Sequence, residues 1–163
     1  MTGATVDFPV ADDRRFFRNL ITIMAIILVA GFVVQLAMGR SSFNSPVIIH
    51  LHAFAFMAWV GITLMQTWLA ASGNLLMHQR LGVISIAWVI LLLILGPLVT
   101  IATVQTGRTP FFFQPQHFLI ANPVSLLGFA GLFAAALALR RQADWHKRLQ
   151  VGAFTMLMGP GFG

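Results

Sequence analysis

Five long, almost uninterrupted apolar runs make up most of this chain. They cover residues 20–38, 47–71, 81–104, 123–139 and 149–163. Runs of about 20 residues with few charges are typical of helices that cross a bilayer. Because the runs are continuous rather than alternating between apolar and polar residues, they disfavour an outer-membrane barrel. The pattern predicts an all-α integral membrane helical bundle with five transmembrane helices, in a single domain over residues 1–163.

Proline residues mark where two of these helices bend or begin. Gly96-Pro97 predicts a kink in the third helix, because proline lacks a backbone donor. Asn122-Pro123 allows two starts for the fourth helix. Asn122 is either an N-cap, which leaves His117 on a surface segment, or the helix runs from His117 with a kink at Pro123.

The last two runs have features that the others lack. Gly128 and Gly131, followed by alanines, predict a small-residue face for close helix packing. The fifth run has only 15 residues and ends in Gly159-Pro160-Gly161, which is short of the about 20 residues that a span needs. We therefore expect a sixth helix to follow beyond the residues given.

Basic residues gather at alternate ends of the predicted helices. Only Arg40 and Arg108 fall on one side of the bundle. The other eight fall on the opposite side: Arg14, Arg15, Arg18, Arg80, Arg140, Arg141, Lys147 and Arg148. By the positive-inside rule this asymmetry predicts a multi-pass protein of a bacterial inner membrane with a cytoplasmic N-terminus. Residues 1–18 are expected to form a polar cytoplasmic tail.

The composition narrows the chemistry that the chain can perform. Hydrophobic residues make up 58% of the sequence and charged residues 9%. There is no cysteine, which excludes disulfides, thiolate ligands and iron–sulfur clusters. The four carboxylates lie outside the apolar runs, which disfavours an intramembrane proton pathway and paired-carboxylate catalysis. The net charge of +6 sets the topology and does not indicate nucleic-acid binding.

Histidines lie at or near the starts of four of the five runs. They are the main candidates for chemistry because imidazole binds haem iron and metal ions. The five histidines are His50, His52, His78, His117 and His146.

Two of the histidines belong to a short internal repeat. Residues 77–83 align with residues 145–151, with matching His, Arg, Leu and Val positions and a spacing of 68. The match suggests that helices two and three form one hairpin and helices four and five a second copy. Helix two would then face helix four, and helix three would face helix five. His78 would approach His146 on the inner side, and His50 or His52 would approach His117 on the outer side.

Such pairs suit one or two b-type haems held by two histidines each. Arg80 and Arg148 lie two residues beyond their histidines and would bind propionates or lipid phosphates. A metal site for copper or zinc, formed by His50, His52 and His117, is the second hypothesis. Positions i and i+2 of a helix lie about 200° apart, so His50 and His52 both reach one ion only if the helix starts after His50. The simplest alternative is that the histidines are interfacial anchors.

The arrangement of histidines resembles a known family. One histidine on each of four consecutive helices, paired two with four and three with five, is similar to the dihaem transmembrane b cytochromes of the ascorbate ferrireductase type. The resemblance implies electron transfer, with His50 or His52, His78, His117 and His146 as haem ligands. The segments HLHAFAFMAWVGITLMQTWL, HQRLG and WHKRL also resemble a widespread group of small bacterial multi-pass membrane proteins, which implies the fold but no chemistry.

A non-catalytic role is the competing hypothesis. The chain has no carboxylate, cysteine or soluble domain placed to perform chemistry alone. It would then be an accessory subunit that packs in the lipid bilayer against a larger respiratory or photosynthetic membrane complex.

Overall fold

The fold is a bundle of five helices. A computed structural model describes residues 10–40, 43–110 and 113–159, and within these residues all regular structure is helical. The helices are α1 (Val10–Ala37), α2 (Val47–Ala71), α3 (Leu75–Gln105), α4 (Pro115–Ala138) and α5 (Ala143–Met156). The predicted all-α fold with five helices is confirmed. Helices α1 to α4 are long and apolar enough to cross a membrane.

The fifth helix differs from its prediction. It begins at Ala143, six residues before the apolar run, and its 14 residues end at Met156. It is not among the helices long enough to span a bilayer, so four of the five predicted spans have that length within the described residues. Its first turns carry Asp144, Lys147 and Arg148, whereas Ala153 and Phe154 of its last turns are buried in the core. Residues 160–163 of the predicted run lie outside the described residues.

Two other helices begin earlier than their apolar runs. Helix α1 starts at Val10, inside the segment expected to be a polar tail, whose residues 1–9 lie outside the described part. Helix α3 starts at Leu75, six residues before the apolar run that predicts it, so His78 lies in its first turns. The reason is the N-cap at Asn74, whose side chain accepts a hydrogen bond from the Met77 backbone N at 3.2 Å. Polar residues therefore extend these helices past their apolar segments.

Helix α4 follows the second of its two possible starts. It begins at Pro115, so His117 lies within the first turn and Pro123 lies inside the helix. Asn122 is therefore not an N-cap. Its side-chain Nδ2 instead donates to Thr100 Oγ1 of α3 at 2.7 Å. Only α2 has the boundaries that its apolar run predicts.

Successive helices pack as antiparallel neighbours joined by short turns. We call the end of the bundle where α1 starts the near end, and the end where α1 finishes the far end. At the far end Arg108 ties the α3 end to the α1–α2 turn. Its guanidinium donates to Ser45 Oγ at 2.8 Å and to the Asn44 carbonyl at 2.9 Å.

The core consists of two apolar clusters. In the first, Phe56 of α2 and Phe154 of α5 pack against Ile21 and its neighbours on α1. In the second, Trp59 of α2 makes edge-to-face contacts with Phe129 and Phe133 of α4, with ring centroids 5.5 Å and 5.6 Å apart. These α2–α4 contacts cross the bundle diagonally.

Candidate functional site

The near end of the bundle brings His78 and His146 together. Each is the fourth residue of its helix, α3 and α5 respectively. Each backbone N–H bonds the carbonyl of the N-cap residue four positions before it, Asn74 at 3.1 Å and Gln142 at 3.0 Å. The two side chains therefore leave equivalent first turns at the same depth, and this places them side by side.

Both imidazoles are held by main-chain carbonyls. Nδ1 of His78 lies 3.2 Å from the Gln66 carbonyl oxygen, and Nδ1 of His146 lies 2.7 Å from the Ala136 carbonyl oxygen. A carbonyl only accepts, so each Nδ1 is the protonated nitrogen that donates. In a neutral imidazole of this tautomer, Nε2 keeps a lone pair that can bind a metal. Metal-binding histidines commonly have the same orienting bond.

The two rings lie at a separation that suits shared ligation. Their centroids are 6.2 Å apart and their planes are perpendicular, at 88°. An ion bound by two imidazoles from opposite sides, at about 2 Å from each nitrogen, requires ring centroids about 6 Å apart. Two ligands of the same kind from different helices form the donor set of a bis-histidine haem. The two histidines therefore supply the kind and number of ligands that such a group requires.

A polar pair on α2 and α3 lies beside His78. Gln66 Nε2 donates to Ser85 Oγ at 3.3 Å, which is the helix-to-helix hydrogen bond that its position in the apolar run suggests. Gln66 Oε1 is buried and has no hydrogen-bond partner. A Cβ at Gly82 would lie 3.6 Å from Gln66 Nε2, so the side chain lies against the first turns of α3.

The basic residues of the near end fall into two groups. Arg80 and Arg148, predicted to bind anions, are exposed, and no hydrogen bond or ion pair within the described residues involves either guanidinium. Lys147, by contrast, forms ion pairs with Asp13 of α1 and, at 2.7 Å, with Asp144. Lys147 thus ties α5 to α1, whereas the two arginines point away from the bundle with their charge available.

The far-end histidines are not brought together. His50 is exposed and its Nε2 lies 3.1 Å from the Phe43 carbonyl oxygen. His52 is half-buried and faces inward, as expected for a residue two positions along a helix. His117 is exposed at the start of α4. Over residues 10–40, 43–110 and 113–159 there is no group of three His, Cys, Asp or Glu side chains placed to hold a metal, so the site of His50, His52 and His117 is not assembled.

Comparison with known proteins does not assign the chain to a family. No family model, curated protein or solved structure matches the chain. The resemblance to dihaem b cytochromes stays a prediction.

Some groups that matter at the two ends of the bundle were not predicted from the sequence. The carbonyls of Gln66 and Ala136 have no sequence signal, since any residue supplies one. Gln35 of α1 is buried at the far end. The sequence does mark this residue, because Gln35 is the only amide side chain in the first apolar run. A lone amide in such a run is commonly a helix-contact or ligand residue.

Proposed function

We propose that this chain is an integral membrane electron-transfer protein that binds one b-type haem between His78 and His146. The observation that supports it is the histidine pair. Two imidazoles from different helices have their Nδ1 atoms fixed by carbonyls and their rings 6.2 Å apart. An interfacial anchor would require neither the pairing nor the matched tautomers.

The membrane location is supported by the outer surface of the bundle. Large aliphatic side chains on the spans are exposed to the surroundings, among them Ile26, Val83 and Leu127, each more than 60% exposed. A water-soluble protein rarely exposes so large a contiguous apolar surface. In lipid the same surface is the favourable one, and the helices satisfy their backbone hydrogen bonds internally.

Each near-end residue has a defined part in this proposal. A b-type haem, when bound, supplies one-electron redox chemistry. His78 and His146 would hold the iron through Nε2, while the Gln66 and Ala136 carbonyls keep the rings oriented. The exposed guanidiniums of Arg80 and Arg148 bind carboxylates or phosphates in a fork, so they suit propionates or lipid headgroups.

The proposal covers one haem rather than two. A second, at the far end, would need a partner for His52, and the exposed His117 makes no ring contact with it among the described residues. The near end alone presents two imidazoles at a common depth.

An absorption spectrum of the purified protein, oxidised and then reduced, tests the proposal. We expect a sharp alpha band on reduction, and its loss in His78→Ala and in His146→Ala. The matched control is His117→Ala, which removes an exposed histidine at the other end and should keep the band. Circular dichroism of all four proteins would establish that the helices persist.

Two outcomes would contradict the haem proposal. The first is a wild-type protein, produced with haem available, that shows no alpha band. The second is a band that His78→Ala and His146→Ala leave unchanged. Either would make the accessory-subunit role the better hypothesis.

A further inference from the structure

The far end of the bundle contains two adjoining cavities. The larger, about 750 Å³, lies between α1, α2 and the end of α3, and its lining includes Gln35, His52 and Arg108. The smaller, about 450 Å³, extends between α2, α3 and α4. His52 and Phe56 line both cavities, so the two spaces meet at these side chains.

Two residues that line the larger cavity, Gln35 and His52, each have a buried polar atom without a partner in the described structure. Gln35 is only 8% exposed, and its Oε1 makes no hydrogen bond within the described structure. His52 Nδ1 is buried and equally without a partner. Buried polar atoms are almost always hydrogen-bonded, so two such atoms on neighbouring residues of one cavity are candidates to bond a ligand or water there. An amide oxygen accepts only, which requires a donor on that ligand.

The smaller cavity is apolar where it leaves the larger one. Its lining includes Leu92, Val99 and Leu126 from α3 and α4. At the junction the His52 ring stacks on Phe56 with an interplanar angle of 26°, and Phe32 meets Phe56 edge-on at 6.0 Å. The site therefore offers polar atoms at one end, flat aromatic faces in the middle and an aliphatic slot beyond.

We propose that these cavities form a binding site for a quinol, a planar ring with hydroxyl groups and a long apolar chain. One hydroxyl donates to Gln35 Oε1 and the ring lies near His52 and Phe56. The chain then occupies the slot between α3 and α4. An anionic lipid fits less well, because a carboxylate or phosphate has no donor and would leave Gln35 Oε1 without a partner. Neither arginine that lines the larger cavity is free: Arg108 donates to Asn44 and Ser45, and Arg40 has an interaction of its own.

The proposal is independent of the haem. It rests on far-end residues, whereas His78 and His146 lie at the near end. A His78→Ala variant should therefore bind quinol as the wild type does, even if no haem is ever found.

Calorimetric titration of the full chain in nanodiscs with a ten-carbon alkyl benzoquinol tests the site. We expect Gln35→Leu to weaken binding by about tenfold, as expected for loss of one buried hydrogen bond. The oxidised quinone should also bind about tenfold more weakly, since it has no hydroxyl to donate. The matched control is Gln66→Leu, which removes another buried amide with an unpartnered Oε1 but lies outside both cavities and should leave the affinity unchanged.

His52→Leu, compared with His117→Leu, provides a second variant should Gln35→Leu fail to fold. His52→Leu should weaken binding and His117→Leu should not. The proposal is overturned if quinone binds as tightly as quinol, or if His52→Leu or a folded Gln35→Leu keeps wild-type affinity. Binding of decanoate in place of quinol, with the same dependence on Gln35, would assign the cavities to a fatty acid and also overturn it.

Discussion

Two glycines bring the helices of the bundle close to one another. A Cβ at Gly96 of α3 would lie 2.7 Å from Leu126 Cδ2 of α4, and one at Gly128 of α4 would collide with Met156 of α5. Gly61 and Gly131 have open space where a Cβ would be. Of the small-residue face predicted for α4, Gly128 therefore packs against the end of the Met156 side chain, and Gly131 faces open space.

A valine at Gly96 should destabilise the bundle. We expect Gly96→Val to lower the free energy of unfolding by about 1–3 kcal/mol, because the added methyls overpack the α3–α4 contact. Gly61→Val adds the same atoms in open space, and its effect should stay within about 0.5 kcal/mol. Denaturant titration in detergent micelles, followed by tryptophan fluorescence, measures both.

The Leu126 side chain provides the check on that explanation. Gly96→Val combined with Leu126→Ala should recover part of the lost stability, since the colliding atoms are removed. A double variant no more stable than Gly96→Val would show that the cost arises elsewhere, for example from the backbone of α3.

The sequence predicted the meeting of His78 with His146 but not how the rings are held. Two His-x-Arg-Leu segments that start helices on the same side suffice to predict proximity. The orienting groups are main-chain carbonyls near the ends of the preceding helices, and their position depends on how far each helix runs before its turn. That information lies in the packing and not in the local residues.

Helix starts were the least predictable feature for a related reason. An apolar run marks where a helix is buried or lipid-facing, whereas its start is set by capping groups in polar sequence. Asn74 caps α3, which starts six residues before its apolar run. Asn122, which resembles a cap before Pro123, lies inside α4 and bonds Thr100 instead.

The Asn122–Thr100 bond is the polar link between α3 and α4. Thr100 is 1% exposed, and its hydroxyl also donates to the Gly96 carbonyl at 2.8 Å. A double-mutant cycle of Asn122→Ala and Thr100→Val should give a coupling of about 0.5–1.5 kcal/mol, the range for polar contacts between helices in membranes. Titration with denaturing detergent measures the four proteins.

The cycle has an internal control in the chain. Asn122→Ala paired with Ser85→Ala combines two residues that belong to different interhelical bonds, and their effects should add. A coupling for Asn122 with Thr100 no larger than for this unrelated pair would contradict a role for the bond in stability.

The two ends of the bundle differ in charge, and this difference predicts which end faces the cytoplasm. The near end carries eight of the ten basic residues, and α1 and α5 meet there through Lys147 and Asp13. The far end has Arg40 and Arg108. In an inner membrane the positive-inside rule then places the near end, with the proposed haem site, in the cytoplasm. The proposed quinol site would lie toward the outer leaflet.

Single-cysteine labelling of intact cells tests this orientation directly, because the chain has no cysteine of its own. A membrane-impermeant maleimide should label Asn44→Cys and Thr106→Cys, which lie at far-end turns and are exposed. It should not label Ser72→Cys or Gln142→Cys, exposed in the near-end turns, until the cells are permeabilised. Permeabilised cells also show that all four thiols are reactive. Labelling of the near-end pair alone in intact cells would invert the topology and place the histidine pair on the outer face, where a cytoplasmic reductant has no access to it.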